Sequence, residues 1–114
     1  MIKIDAIVRE EVYEDLKDAL NEINVHGMTI SQVMGCGTQK GHTNYIRGQK
    51  IDIQMVPKLK FEIVLSTDSW AEKVIQVIRK VAYTGEPGDG KIFLYELKEA
   101  VRIRTNERGM GAIN

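Results

Sequence analysis

Apolar Ile2, Ile4, Ala6 and Val8 alternate with Lys3, Asp5 and Arg9, the two-residue period of a half-buried strand, and Ile7 is the apolar exception on the outer face. From Glu10 the period lengthens. Val12, Leu16, Ala19, Leu20 and Ile23 share one helical stripe, with Glu10 and Glu11 where a helix N-terminus favours negative charge. Residues 24–27 end it, and Met28, Ile30 and Met34 then alternate with Thr29, Ser31 and Val33 in a second strand that stops at Gly35-Cys36-Gly37. Met28 and Met34 read as core, and Cys36 as a small apolar filler. Leu59, Phe61, Ile63 and Leu65 alternate with Lys58, Lys60, Glu62 and Val64 as a third strand. In the helix that follows, Ser69 and Glu72 fit a capping box, and Trp70, Val74, Val77, Ile78 and Val81 recur at helical spacing. A fourth strand runs from Lys91 to Leu97. In a last short strand Val101 and Ile103 face in, while Arg102 and Arg104 share the opposite face.

This order is a doubled βαβ unit. Right-handed crossovers turn it into an α+β, ferredoxin-like domain, a four-stranded antiparallel sheet with two helices on one face. The other face carries Ile7, Val33 and Val64 among polar residues, too apolar to leave wholly in water, so it is expected to meet neighbouring subunits. Between Gly37 and Pro57 about twenty residues show no sustained period, far above the usual ~4 to 6 for a connection. Segment 37–57 is therefore expected to be a flexible effector loop between strands two and three.

A chain of 114 residues, 43% hydrophobic, supports a single domain over 1–114. Sixteen basic and sixteen acidic residues cancel, which argues against nucleic acid as a partner held by the overall field. Any anion site must be local. The single Cys36 makes no internal disulfide, no apolar run approaches the ~20 residues of a membrane span, and the N-terminus lacks a signal-peptide core, so a cytoplasmic protein is expected.

The candidate chemistry centres on Thr84 to Phe93, where three glycines and a proline interrupt the helix and lead into a strand. Backbone N–H groups in such a turn can converge on an oxyanion, and Lys91 adds a point charge. It is not a Walker loop, because Ile92 and a strand follow the lysine instead of Ser or Thr and a helix. Gly35-Cys36-Gly37, Gly88-Asp89-Gly90-Lys91 and the pair Arg102 and Arg104 fall on or just past strands of one sheet, and together suit a triphosphate. His26, His42 and Cys36 show no metal-ligand spacing.

Thr84-Gly85 with Gly88-Asp89-Gly90-Lys91-Ile92-Phe93 resembles the C-terminal signature of the PII nitrogen-regulatory signal proteins. The resemblance extends through Gly27-Met28-Thr29, Gly35, Gly37, Gln39-Lys40-Gly41-His42-Thr43, Arg47-Gly48, Pro57-Lys58 with Glu62, and Val101 to Thr105. It implies a homotrimer that binds ATP or ADP in the cleft between subunits. By position it assigns Ile7, Gly35, Cys36, Gly37, Thr38, Val64, Gly88, Asp89, Gly90 and Lys91 to one side of the nucleotide, and Thr29, Glu62, Arg102 and Arg104 to the neighbour or a shared edge. The resemblance further implies that Gln39 helps hold Mg on ATP, that 2-oxoglutarate completes the metal's shell beside Gln39, Lys40 and Gly41, and that Lys58 pairs with the distal carboxylate. Read without the family, Lys58 is an outward, solvated strand lysine.

The loop residues His42, Tyr45, Arg47, Lys50 and Asp52 would then dock a target such as an ammonium transporter, glutamine synthetase or a nitrogenase component. A transporter partner would bring the protein to the membrane. Two departures stand out. Thr38 occupies a position where many members carry a phosphate-binding arginine, and Ile51 and Gln49 replace the modified tyrosine and serine of other members, which implies signalling by ligands alone. Two other readings remain open: a phosphate-ester or acylphosphate hydrolase on the same fold with Asp89 orienting water, and RNA binding by the open sheet, for which Phe61, Phe93 and Tyr95 are poorly placed.

Overall fold

The computed structural model describes residues 1–37, 44–46, 49–51 and 54–113, with side chains for 1–36 and 55–113. Strand β1 (Ile2–Arg9) leads through a 3-10 turn, Glu10–Val12, into helix α1 (Tyr13–Glu22). Strand β2 (Thr29–Gly37) follows, then the short β3 (Asn44–Ile46) and β4 (Gln49–Ile51), and the long β5 (Gln54–Leu65). Helix α2 (Asp68–Ala82) and strand β6 (Lys91–Glu96) complete the pattern.

The main sheet has the order β2-β5-β1-β6 with every neighbouring pair antiparallel. It is the expected ferredoxin-like α+β arrangement. Odd positions of β1 and even positions of β5 share the face away from the core. Their partners, Ile2, Ile4, Ala6 and Val8 with Leu59, Phe61, Ile63 and Leu65, are buried under Leu16 and Leu20 of α1 and Ala71, Val74, Ile78 and Ala82 of α2. Phe61 is fully enclosed, with the Tyr13 ring 6.4 Å away. No helix among the described residues is long and apolar enough to cross a membrane.

Three local expectations change. The N-cap of α2 is Thr67, whose Oγ1 accepts the Trp70 N–H at 3.2 Å; Ser69 already lies inside the helix, and Glu72 accepts from Gln76 one turn further on (2.8 Å). Next, β2 and β5 stay paired as far as Gly37 and Gln54, whereas β1 leaves β5 after Arg9 and Lys58. Beyond Lys58 the two strands run on as a ribbon that pairs with no third strand among the described residues. Met34 is accordingly 58% exposed and Cys36 is exposed, so neither is core, and Met55 beside them is 61% exposed. The ribbon also tolerates Pro57, because its β1-side edge has no ladder to serve.

The last short strand contracts to a single bridge between Val101 and Arg108. Asn106, at φ 60°, donates its N–H to the Arg102 carbonyl (2.8 Å), and the Arg102 N–H bonds the Glu107 carbonyl (2.9 Å). This tight reversal leaves no length for alternation. Ile103 ends fully exposed at its tip instead of facing in.

Candidate functional site

The segment after α2 folds on one carboxylate. Asp89 Oδ2 accepts the N–H groups of Thr84 (2.9 Å) and Gly85 (3.0 Å), and Oδ1 accepts the Thr84 hydroxyl (2.5 Å) and the Arg9 guanidinium. Thr84 Oγ1 in turn accepts the Glu86 N–H at 3.1 Å. Hydrogen bonds from the Thr84 hydroxyl and N–H, then Arg9, then the Gly85 N–H hold the Asp89 carboxyl well below the usual carboxylate range. Asp89 is thus a fixed anion whose oxygens are committed to the loop. That removes the water-orienting side chain on which the hydrolase reading depended.

Two cations from the sheet reach the same loop. Arg9, at the end of β1, donates through Nη2 to the Pro87 carbonyl at 2.9 Å, and Lys58, its direct partner on β5, donates through Nζ to the Gly88 carbonyl at 2.6 Å. Lys58 is therefore half-buried and bonded, not a solvated strand lysine. Its stem passes Gly35, where an added Cβ would lie 3.1 Å from Lys58 Cγ. Gly90 is needed for closeness as well as conformation: at φ +105° a Cβ would fall 1.8 Å from the Ile7 carbonyl oxygen. The N–H groups of Gly88, Asp89 and Gly90 make no hydrogen bond to any described residue. They are the donors a phosphate or carboxylate would use.

The structure thus gathers Ile7, Gly35, Lys58, Gly88, Asp89, Gly90 and Lys91 at one end of the sheet, Ile7 and Lys91 being direct strand partners. Gly35, Cys36 and Gly37 are ladder residues paired with Val56, Met55 and Gln54, not a turn. Val64 lies apart from the loop. It pairs with Lys3, two rungs from the one on which Thr29, Glu62 and Asp5 stand side by side. There Lys3 reaches Glu62 at 2.9 Å and Asp5 at 3.3 Å, and Lys60 stands 3.7 Å from the buried Asp5. Arg102 and Arg104 sit in the C-terminal reversal, Arg102 paired with Glu107 at 3.4 Å and Arg104 exposed. Thr38, Gln39, Lys40, Gly41, His42, Arg47 and Asp52 lie outside the described residues, and Tyr45 and Lys50 are described only as backbone partners of β3 and β4. A separate apolar groove of about 420 Å³ opens on the helix side, between α2 and β6, under Ile75, Ile78, Ala82, Ile92 and Leu94. It touches the loop only at Asp89, Gly90 and Lys91.

Sequence reasoning missed Arg9 and Thr84 as site residues. The signal for Thr84 was its five-residue spacing to Asp89 across a glycine turn. For Arg9 it was the strand-end position, which becomes informative only once β1 is placed beside β6.

The class of protein that the fold defines is a ferredoxin-like α+β domain with a glycine-rich loop at one end of its sheet. The chain belongs to a particular family of such domains: its residues 1–107 match the family model of the nitrogen regulatory protein P-II. It is 45% identical over 113 residues to the nitrogen regulatory protein P-II of Rhodospirillum rubrum, covering 99% of this chain and 100% of that one. To the protein of the same name from Rhizobium meliloti it is 44% identical over the same coverage. Among solved structures, B. subtilis GlnK superposes with a TM-score of 0.82 at 41% identity, covering 97% of this chain and 96% of the other. A B. subtilis GlnK–ATP complex superposes at 0.79 with 35% identity, covering 97% and 95%.

Proposed function

We propose that this protein is a sensor that binds ATP or ADP on the glycine loop and reports the bound state to a target protein. The observation that carries the reading is the set of free N–H groups at Gly88, Asp89 and Gly90 on a loop held from beneath by two sheet cations. The GlnK–ATP complex among its structural neighbours supports it. Lys91 adds charge beside the loop, and the apolar Ile7 offers a surface for a base.

In this reading the protein is a homotrimer. The half-buried Ile7, Val33 and Val64 of the uncovered face, with the exposed Phe93 and Tyr95, would lie against neighbouring copies. Thr29, Glu62, Val64, Arg102 and Arg104 would complete a neighbour's cleft. Mg on ATP would be held through Gln39, with 2-oxoglutarate beside Gln39, Lys40, Gly41 and Lys58. Lys58 fits a carboxylate chemically, since its ammonium already serves an oxygen at the loop. Segment 37–57 would carry the output to an ammonium transporter, glutamine synthetase or nitrogenase component. The protein acts without catalysis, without nucleic acid and in the cytoplasm, without modification at Gln49 or Ile51.

Calorimetric titration tests this. ATP with Mg should bind, 2-oxoglutarate should bind only once MgATP is present, and ADP should bind without supporting the oxoacid. Nucleotide binding with no oxoacid binding under any condition restricts the protein to reporting ATP against ADP. Failure of both nucleotides to bind overturns the reading.

A further inference from the structure

The nucleotide reading explains why the glycine loop offers free donors but not what holds the loop that carries them in place. Three glycines at positive φ, Gly85, Gly88 and Gly90, give this segment more freedom than most turns have. An unsupported loop of that kind would lose much of its affinity to the cost of ordering itself on the ligand. We infer that Arg9 is the positioning residue of the anion site: its guanidinium ties the loop to the end of β1 and sets the direction of the Gly88, Asp89 and Gly90 N–H groups.

The geometry is a fork. One amino group bonds Asp89 Oδ1 and lies 3.4 Å from the Thr84 hydroxyl, and the other takes the Pro87 carbonyl at 2.9 Å. Arg9 thus grips the loop on both flanks of Gly88. A Cβ on Gly88 would lie 3.1 Å from Arg9 Nη2, which places the guanidinium directly against the turn. The arginine itself stands on rigid ground, at the last rung of a strand whose neighbour Lys58 sends its own ammonium to Gly88. With its charge balanced by Asp89 and both of its amino groups bonded to the loop, Arg9 is engaged before any ligand arrives. It acts through the loop rather than by touching the anion. A lysine could supply the charge, but only from one point, and could not hold Asp89 and Pro87 together.

This inference rests on the nucleotide reading for its consequence but not for its test. The first measurement needs no ligand: amide hydrogen exchange of residues 84–91 in the whole protein and in Arg9→Met and Arg9→Lys. Both variants should speed exchange at Gly85, whose N–H bonds Asp89, by about tenfold or more while the β1 and β5 amides stay protected. Unchanged exchange at Gly85 overturns the inference even if nucleotide binds. The second measurement is ATP affinity, with Asp89→Asn added. A positioning role predicts that Arg9→Met and Asp89→Asn each weaken ATP about tenfold or more, that the double variant is little worse than either, and that the dependence of affinity on salt keeps its slope. A direct phosphate contact predicts the opposite pattern. Asp89→Asn would then strengthen binding by freeing the guanidinium, Arg9→Lys would largely rescue it, and Arg9→Met would flatten the salt slope by about one charge. A wild-type protein that binds no nucleotide removes the functional reading and leaves the exchange result to decide the inference.

Discussion

Gly90→Ala puts the loop geometry to its hardest test. A Cβ at this position would lie 1.8 Å from the Ile7 carbonyl oxygen and 2.9 Å from its carbon, both backbone atoms, whereas ordinary contact begins at 3.4 Å. The loop must therefore retreat by roughly 1.6 Å or β1 must yield. β1 is held on both sides, Ile7 being paired with Lys60 on β5 and Lys91 on β6. The retreat falls on the loop and opens the Ile7–Lys91 rung. A side chain at φ +105° costs about 1–3 kcal/mol, and a lost ladder hydrogen bond about 1 kcal/mol more. The sum is about 3 kcal/mol, which for a domain of this size lowers Tm by roughly 12–24 °C. Thermal denaturation by circular dichroism at one fixed chain concentration measures it, since self-association would otherwise shift the curve. Gly27→Ala is the control, having no atom within 4 Å of the new Cβ, and should stay within about 0.5 kcal/mol of the parent. A Gly90→Ala protein melting within ~3 °C of Gly27→Ala would refute the reasoning.

Phe61→Ala, at a fully buried site between the sheet and α1, should cost about 3–5 kcal/mol by urea denaturation. Thr67→Ala removes the α2 cap and should cost about 1 kcal/mol, whereas Ser69→Ala should cost clearly less; the reverse ranking restores the capping box expected from the sequence. Asp89 has its folded pKa depressed, so its contribution is present above the unfolded value and fades as pH falls through the folded one. Asp89→Asn should therefore lower stability at neutral pH and reduce the loss between pH 4 and pH 2; an acid limb identical to the parent's excludes Asp89 as its source.

The fold was legible because both periods were clean. The first and third strands placed most of their apolar residues at alternate positions, and each helix carried one stripe. Met34 broke the rule for a reason that alternation does not contain. It continues the correct face of β2, but the layer that face packs against ends several residues earlier, and only the register of β2 on β5 shows where. Thr67 and Ser69 offer the same hydroxyl two residues apart, and the choice depends on where the backbone turns helical. The C-terminal reversal was hidden in Asn106, whose left-handed conformation the alternating Val101 to Arg104 pattern outweighed on paper. Of the candidate site, the glycines were visible through chain chemistry alone. Arg9 was invisible because a strand-end arginine is an ordinary solvated residue until the neighbour beside it is known.

On the proposed reading, the rungs also bear on why one copy of the chain would supply only part of a site. Along β5, Lys58 at the glycine loop and Glu62 beside Thr29 are four positions apart, and Val64 is six. At ~3.3 Å per residue these are separations of roughly 13 and 20 Å. No single phosphate can touch both ends, and between them on the uncovered face stands the charged set Lys3, Asp5 and Lys60, with the buried Asp5 flanked by both lysines. A base resting on Ile7 would meet that charge before it reached Val64. In the proposed trimer the economical arrangement would set the loop end of one copy against the Thr29–Glu62 end of another, so that apolar Ile7 and Val64 would face each other across a ligand instead of along a strand. The same contact would cover Asp5 together with Lys3 and Lys60, so that the carboxylate would enter the interface already paired. Assembly and ligand binding would then draw on one surface, and nucleotide should protect the oligomer against dilution as effectively as it protects the fold against heat.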